Sequence, residues 1–191
     1  MWLRQLVVAV VAIAVLVVGR LPRAAARNYE IVFERIEGHE ANPEYFGPKT
    51  GMHVRRPSKA EPSSLYDCLD IVKPLPNDTL VEVILYERHD NKYVPGFIKY
   101  RNNLCEYLAK ERKPIISDFG KIFRFPPTCP IVGRFTVENY RPDDKILPPV
   151  LPGPEHWKLF FGLTSQGATL IKHAVVFSID RSKAIRGGGR G

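Results

Sequence analysis

The five histidines of this 191-residue chain are His39, His53, His89, His156 and His173, and they are its best-suited side chains for binding a metal or moving a proton. No two are spaced as a metal pair of the H-E-x-x-H kind requires. No G-x-S-x-G turn presents a nucleophilic serine, and no glycine-rich loop between a strand and a helix offers to cradle a phosphate. Asp67 with Asp70, and Asp143 with Asp144, are carboxylates that could converge in pairs, but their spacing does not set them apart from solvated charges. His173 is the oddity, because it falls on the apolar face of a predicted strand. It reads as a satisfied core or pocket-edge histidine. The expectation is no catalysis, no metal and no cofactor. A hydrolase would need a polar triad deep in a cleft, and no motif supports one.

The remaining reactive side chains are three cysteines. In a secreted chain that number suggests one bridge and one leftover. Cys105 and Cys129 flank the longest stretch that reads as helical, Asn103 to Gly133, and are the better pair. Cys68, in the middle of a predicted strand, reads as a buried free thiol. Within the stretch, Leu104, Tyr107 and Leu108 fall at i, i+3, i+4, and Ile115, Phe119, Ile122 and Phe123 repeat that spacing, which predicts two short amphipathic helices. Asn103 followed by Glu106 has the shape of a capping box. Pro114 suits the first turn of the second helix, and Pro126-Pro127 would stop it. A Cys105–Cys129 bridge would tie both helices to the following strand and contribute about 3 kcal/mol in the chain-entropy model. Such a flap, bearing Phe119, Phe123 and Phe125, is either the lid of a pocket or part of the core.

The elements that must carry this flap are strands. Tyr29, Ile31 and Phe33 alternate with Glu30, Val32 and Glu34, which predicts a strand with one buried face. A loop from Ala41 to Thr50 leads to a short strand over Met52 to Arg56. Leu65 to Val72 and Thr79 to Arg88 read as consecutive strands joined by a turn over Lys73 to Asp78. In the second of them, Val81, Val83 and Leu85 share a face. Tyr93 to Tyr100 reads as a strand in which Pro95-Gly96 marks a bulge or an edge. Gly133 to Tyr140 follows the flap, and after a Pro-rich connection the last two strands are His156 to Thr164 and Thr169 to Asp180. Trp157, Leu159, Phe161 and Leu163 share a face of the first. Ile171, His173, Val175, Phe177 and Ile179 share a face of the second. Seven or eight strands with regular turns predict an all-β sandwich with short helices.

Met1 to Ala26 reads as a secretory signal: Arg4 opens it, Leu6 to Val18 is an unbroken apolar run, and Ala24-Ala25-Ala26 offers a cleavage site. The run is shorter than the ~20 residues that span a bilayer. The domain organisation is therefore a signal over 1–26, a β-sandwich over 27–180 and a flexible basic Gly-rich tail over 181–191. An extracellular chain gives Asn77-Asp78-Thr79 meaning as a glycosylation acceptor in a loop. The net charge of +8 falls to +5 without Arg4, Arg20 and Arg23 of the leader. Lys and Arg are dispersed along the rest, so no nucleic-acid footprint is read. Ile146 to Pro152, rich in proline, reads as an extended rim loop rather than a ligand for another domain.

Several of these residues together resemble a known family. Lys99-Tyr100-Arg101-Asn102-Asn103-Leu104-Cys105, then Cys129-Pro130-Ile131 and Gly133, Asn139-Tyr140, Leu151-Pro152-Gly153 and Trp157-Lys158 resemble a family of small secreted insect proteins that includes the CheB chemosensory proteins. That family is similar to the ML lipid-recognition domains and the ganglioside-activator fold. The resemblance spans about Tyr29 to Asp180. It implies an immunoglobulin-like β-sandwich or cup whose sheets part around a lipid or other small hydrophobic ligand, in chemosensation or lipid transport, without catalysis. Some relatives carry a cysteine near the N-terminal strands to partner one placed like Cys68; this chain has none.

On that reading the expected pocket lining is Phe33, Val83, Leu85, Phe97, Leu108 and Phe119, with Phe123, Phe135, Leu159, Phe161 and Phe177. Lys121 and Arg124 would stand near the mouth to meet an anionic head group. The alternative is an extracellular interaction module with a filled core, whose partner is a secreted or membrane-receptor protein met through its rim loops.

Overall fold

The computed structural model describes residues 29–56, 58, 61–110, 124–126, 128–142 and 153–182. The expected leader, the second helix of the flap, Asp143, Asp144, Lys121, Phe119, Phe123, most of the Pro-rich connection and the tail beyond Ser182 lie outside those residues. Eight strands and one short helix are described: β1 (Glu30–Ala41), β2 (Gly51–Arg55), β3 (Ser64–Ile71), β4 (Leu80–His89), β5 (Lys92–Asn103), α1 (Leu104–Lys110), β6 (Gly133–Tyr140), β7 (His156–Ser165) and β8 (Ala168–Asp180). They form two antiparallel sheets, one of five strands in the order β1-β8-β7-β4-β5 and one of three in the order β2-β3-β6. The fold is an all-β sandwich.

Turn chemistry closes the two tight hairpins. β4 passes to β5 through Asp90 and Asn91, with φ of 47° and 65°, and β7 passes to β8 through Gln166 and Gly167, with φ of 49° and 80°. Positive φ at both central residues is the turn whose twist matches that of paired strands. In β5 the register breaks opposite Ile84 and Tyr86, so that Gly96, Phe97 and Ile98 bow out between Pro95 and Lys99. This places both the bulge and the edge position at Pro95-Gly96. β1 breaks register twice, and the second break, between Glu37 and Glu40, includes Gly38 at a φ of 60°.

The connection over Lys73 to Asp78 is not a hairpin turn. β3 and β4 lie in different sheets, so this segment crosses between them. Leu75 is buried on the way and its N–H bonds to the carbonyl of Ile131 at 3.2 Å. A buried leucine anchors a crossing where a solvent turn would have kept polar residues.

The interior is divided. One apolar cluster gathers Leu69, Ile71, Val81, Phe161 and Ile171 with Leu104 and Tyr107 of α1. The other gathers Ile31, Phe33, Leu65, Leu85, Trp157, Val175 and Phe177. Trp157 is fully enclosed and its indole N–H donates to the carbonyl of Pro154 at 2.8 Å. A side chain at Gly153 would put its Cβ 2.8 Å from Cζ2 of that indole, and Gly153 also has a φ of 108°. The glycine of the Leu-Pro-Gly motif is thus required by the tryptophan four residues on.

Candidate functional site: the space between the sheets

At the flap end the described residues cap α1 and bridge it to the segment before β6. Asn103 accepts hydrogen bonds at Oδ1 from the N–H groups of Cys105 (2.9 Å) and Glu106 (3.1 Å), satisfying two of the orphan donors that open α1. Leu104 and Tyr107 of α1 are buried and Leu108 is half-buried, the face that the sequence spacing predicts. Cys105 is bridged to Cys129, with Cα atoms 5.7 Å apart. The buried hydroxyls at this end have partners: Thr79 donates to the carbonyl of Pro76 at 2.6 Å, and Ser165 to Oδ1 of Asp78 at 2.7 Å. Asn77 is exposed beside them, its carbonyl accepting from Nδ2 of Asn103 at 2.7 Å.

At the other end of the sandwich the sheets part around a cleft of about 270 Å³, lined by Glu30, Ile31, Phe33, Pro62, Ser63, Arg141 and Pro142. It opens between the start of β1, the approach to β3 and the exit from β6. This cleft lies away from the flap, and the cation that lines it is Arg141. Arg141 donates from Nη2 to the carbonyl of Pro62 at 2.9 Å, which ties the two lips together. Arg124 is exposed, in a turn with a φ of 52°.

Two ionisable side chains stand where the apolar clusters meet. On β3, Asp67 lies between Leu65 of the cleft-end cluster and Leu69 of the flap-end cluster. On β8, His173 lies between Val175 of the first and Ile171 of the second. Both point inward from facing sheets, and both are buried, at 3% and 2% exposure. The ring nitrogens of His173 have no hydrogen-bond partner, and the carboxyl oxygens of Asp67 have none beyond a weak contact from the neighbouring Cys68 amide. Burial pushes the Asp67 carboxyl up to about 7, against the weaker pull of the Cys68 amide. Burial, with a smaller push from His39, brings His173 down to about 4. The imidazole is held between two rings, Phe161 at 5.4 Å and the exposed His39 at 5.9 Å, the latter supplied by the Gly38 bulge of β1. His173 is therefore a core histidine, but not a satisfied one. Ser63 and Ser64 are also buried with hydroxyls that lack partners.

The predicted lining residues fall into four groups. Phe33, Leu85, Phe161 and Phe177 are buried between the sheets, and Val83, Leu108, Phe135 and Leu159 are half-buried against the same clusters. Of these, Phe33 reaches the cleft. Phe97 is a correction: the bulge turns it outward, 65% exposed, with only its edge against Trp157 at 6.2 Å between centroids. Phe119 and Phe123 lie outside the described residues.

Asp67 and Asp70 do not converge. Three residues apart on a strand they take opposite faces, and Asp70 instead accepts a bond from Nε of Arg134 at 3.1 Å. The alternation Leu65, Asp67, Leu69, Ile71 was the signal that could have singled out Asp67 as inward. Cys68 is a buried free thiol, with the Thr136 hydroxyl 3.7 Å from its sulfur. No helix among the described residues is long and apolar enough to cross a membrane.

One comparison with known families finds a match. Residues 81–155 fit the model of a family described as "Protein of unknown function (DUF1091)". The matched segment takes in β4, β5, α1, the Cys105–Cys129 bridge and β6, and stops before β7. Asp67 and His173 fall outside it. No curated protein matches the chain.

Proposed function

We propose that this chain is a secreted, non-catalytic binding protein that holds a lipid or other small apolar molecule between its two sheets. The observation that carries the reading is the cleft of about 270 Å³, which gives on to Ile31 and Phe33 of a core already divided in two. Its volume is close to the lower end of the ~300–1,000 Å³ typical of small-molecule sites. Each methylene taken out of water there contributes about 0.8 kcal/mol. The basic Arg141 at the lip suits an amphipathic ligand whose polar end remains at the surface. The resemblance to the CheB-like insect proteins, and through them to ML lipid-recognition domains, supports the same assignment.

The test is uptake of a fluorescent apolar probe by the folded chain, compared with an Ile31→Arg variant that places a charge in the cleft. The reading expects saturable uptake that the substitution weakens at least tenfold. Equal uptake by both proteins removes the cleft from the account. A second reading, an extracellular interaction module, is favoured by Phe97 and Val94, exposed on edge strand β5 at 65% and 42%. It expects a protein partner whose binding is lost in Phe97→Ser while probe uptake is unchanged.

A further inference from the structure

Protein interiors leave few buried polar groups without a partner, and a group left so bears its full desolvation cost. Thr79 and Ser165 at the flap end follow that rule. Among the described residues, Ser63, Ser64, Asp67 and His173 are buried and break it. Of these four, Ser63 lines the cleft and the others do not. Ser63 is 1% exposed, so its unpartnered hydroxyl is a buried donor in the wall of a cavity. Ser64, the next residue along, takes the opposite face of the strand.

A second donor is fixed beside it. Arg141 donates from Nη2 to the carbonyl of Pro62 at 2.9 Å, and that carbonyl belongs to the peptide bond leading into Ser63. Both side chains line the same cleft. A guanidinium carries five N–H donors in a rigid fork, and the bond to Pro62 uses one of them. The rest of the lining is Ile31, Phe33, Pro62 and Pro142, with Glu30 at the start of β1. Glu30 and Arg141 carry opposite formal charges, so the lining as a whole is neutral.

We propose that Ser63 and Arg141 form a donor pair for the carbonyl oxygen of an uncharged ligand, a ketone, aldehyde or ester whose alkyl part lies against Ile31 and Phe33. The inference rests on the binding reading above and names the chemistry of what is bound. A carbonyl oxygen has two lone pairs, and accepts one bond from the Ser63 O–H and one from an Arg141 N–H. Ser63 then has the partner that the fold itself does not supply. A carboxylate would gain Arg141 but meet the charge of Glu30 in the same small cleft. An alkane would leave the Ser63 hydroxyl unpaired and cut off from water.

The experiment measures displacement of the fluorescent apolar probe from the folded, disulfide-bonded chain by methyl octanoate, octanoate and octane. In the unaltered chain the ester is expected to bind more tightly than octanoate. Ser63→Ala should weaken the ester about tenfold and leave octane unchanged. The ester carbonyl stretch, which lies clear of the protein amide absorption, should fall at lower frequency in the complex than in hexane. Octanoate binding as tightly as the ester, or more so, makes this an anion site and overturns the inference. Equal ester binding by Ser63→Ala and the unaltered chain, or an unshifted carbonyl stretch, overturns it too and leaves the binding reading standing. Displacement by none of the three overturns both. Loss of a buried hydroxyl that has no partner should leave the unliganded fold at least as stable. The stretch and the ester-to-octanoate ratio are read on the unaltered chain, so they decide even where Ser63→Ala fails to fold.

Discussion

The two ends of the sandwich solve the same packing problem in opposite ways. At the flap end a capped helix, a disulfide and paired hydroxyls adjoin an apolar cluster. At the cleft end the lips are joined by Arg141 and the carbonyl of Pro62, and Ser63 is buried with no partner for its hydroxyl. Between the clusters, Asp67 on β3 and His173 on β8 are each buried where the strand passes from one cluster to the other. The difference teaches that one end satisfies its buried polar groups within the fold while the other leaves Ser63 unsatisfied beside a cleft.

The largest way to break the cleft end is to empty it. Trp157→Ala removes a fully enclosed indole and its bond to Pro154, and should cost about 3–5 kcal/mol by denaturant unfolding. Gly153→Ala should also destabilise, because its Cβ would meet the same indole.

The two buried ionisable groups, Asp67 and His173, give the next effect, and its sign depends on pH. Asp67 keeps its proton in the fold up to about pH 7 but loses it near pH 3.8 when unfolded. Its contribution to stability therefore falls as pH rises from about 4 to 7. His173 stays neutral in the fold down to about pH 4 but takes a proton near pH 6.5 when unfolded. Its contribution falls as pH drops through that range. The two slopes oppose each other and cancel between about pH 4 and 6.5. Removing either partner uncovers the other: Asp67→Asn should lose about 3 kcal/mol on acidification across that window, and His173→Phe a similar amount as pH rises. Urea midpoints measured at pH 4, 5, 6 and 7 check both. Parallel profiles for the two variants would contradict the assignment.

Opening the flap end has a comparable cost but no pH signature. Cys105→Ser with Cys129→Ser should lower stability by about 3 kcal/mol, leaving probe uptake at the cleft intact. The smallest effect is at the cap, where Asn103→Ala should cost about 1 kcal/mol.

Much of this fold was legible in the sequence because alternation is a local signal. Tyr29, Ile31 and Phe33, or Trp157, Leu159, Phe161 and Leu163, announce both a strand and its inner face. The cap at Asn103 and the pairing of Cys105 with Cys129 were legible for the same reason. What was not legible depends on partners distant in the chain. The Lys73 to Asp78 segment has the composition of a turn, and only the assignment of β3 and β4 to different sheets makes it a crossing. Phe97 looks like a core residue until the bulge turns it out. The cleft is assembled from three segments far apart in sequence, which no spacing rule brings together. Asp67 was visible as a carboxylate, but its isolation depends on the sheet facing it.

The measurement that tests the central claim most directly is the native mass of the folded, disulfide-bonded chain, followed by extraction and identification of whatever it carries. The account predicts a reproducible apolar adduct that is lost in Ile31→Arg while the fold is retained. A clean unliganded mass, with no uptake from fatty acids, fatty alcohols, sterols or long-chain hydrocarbons, would contradict it and leave the exposed edge of β5 as the surface to pursue.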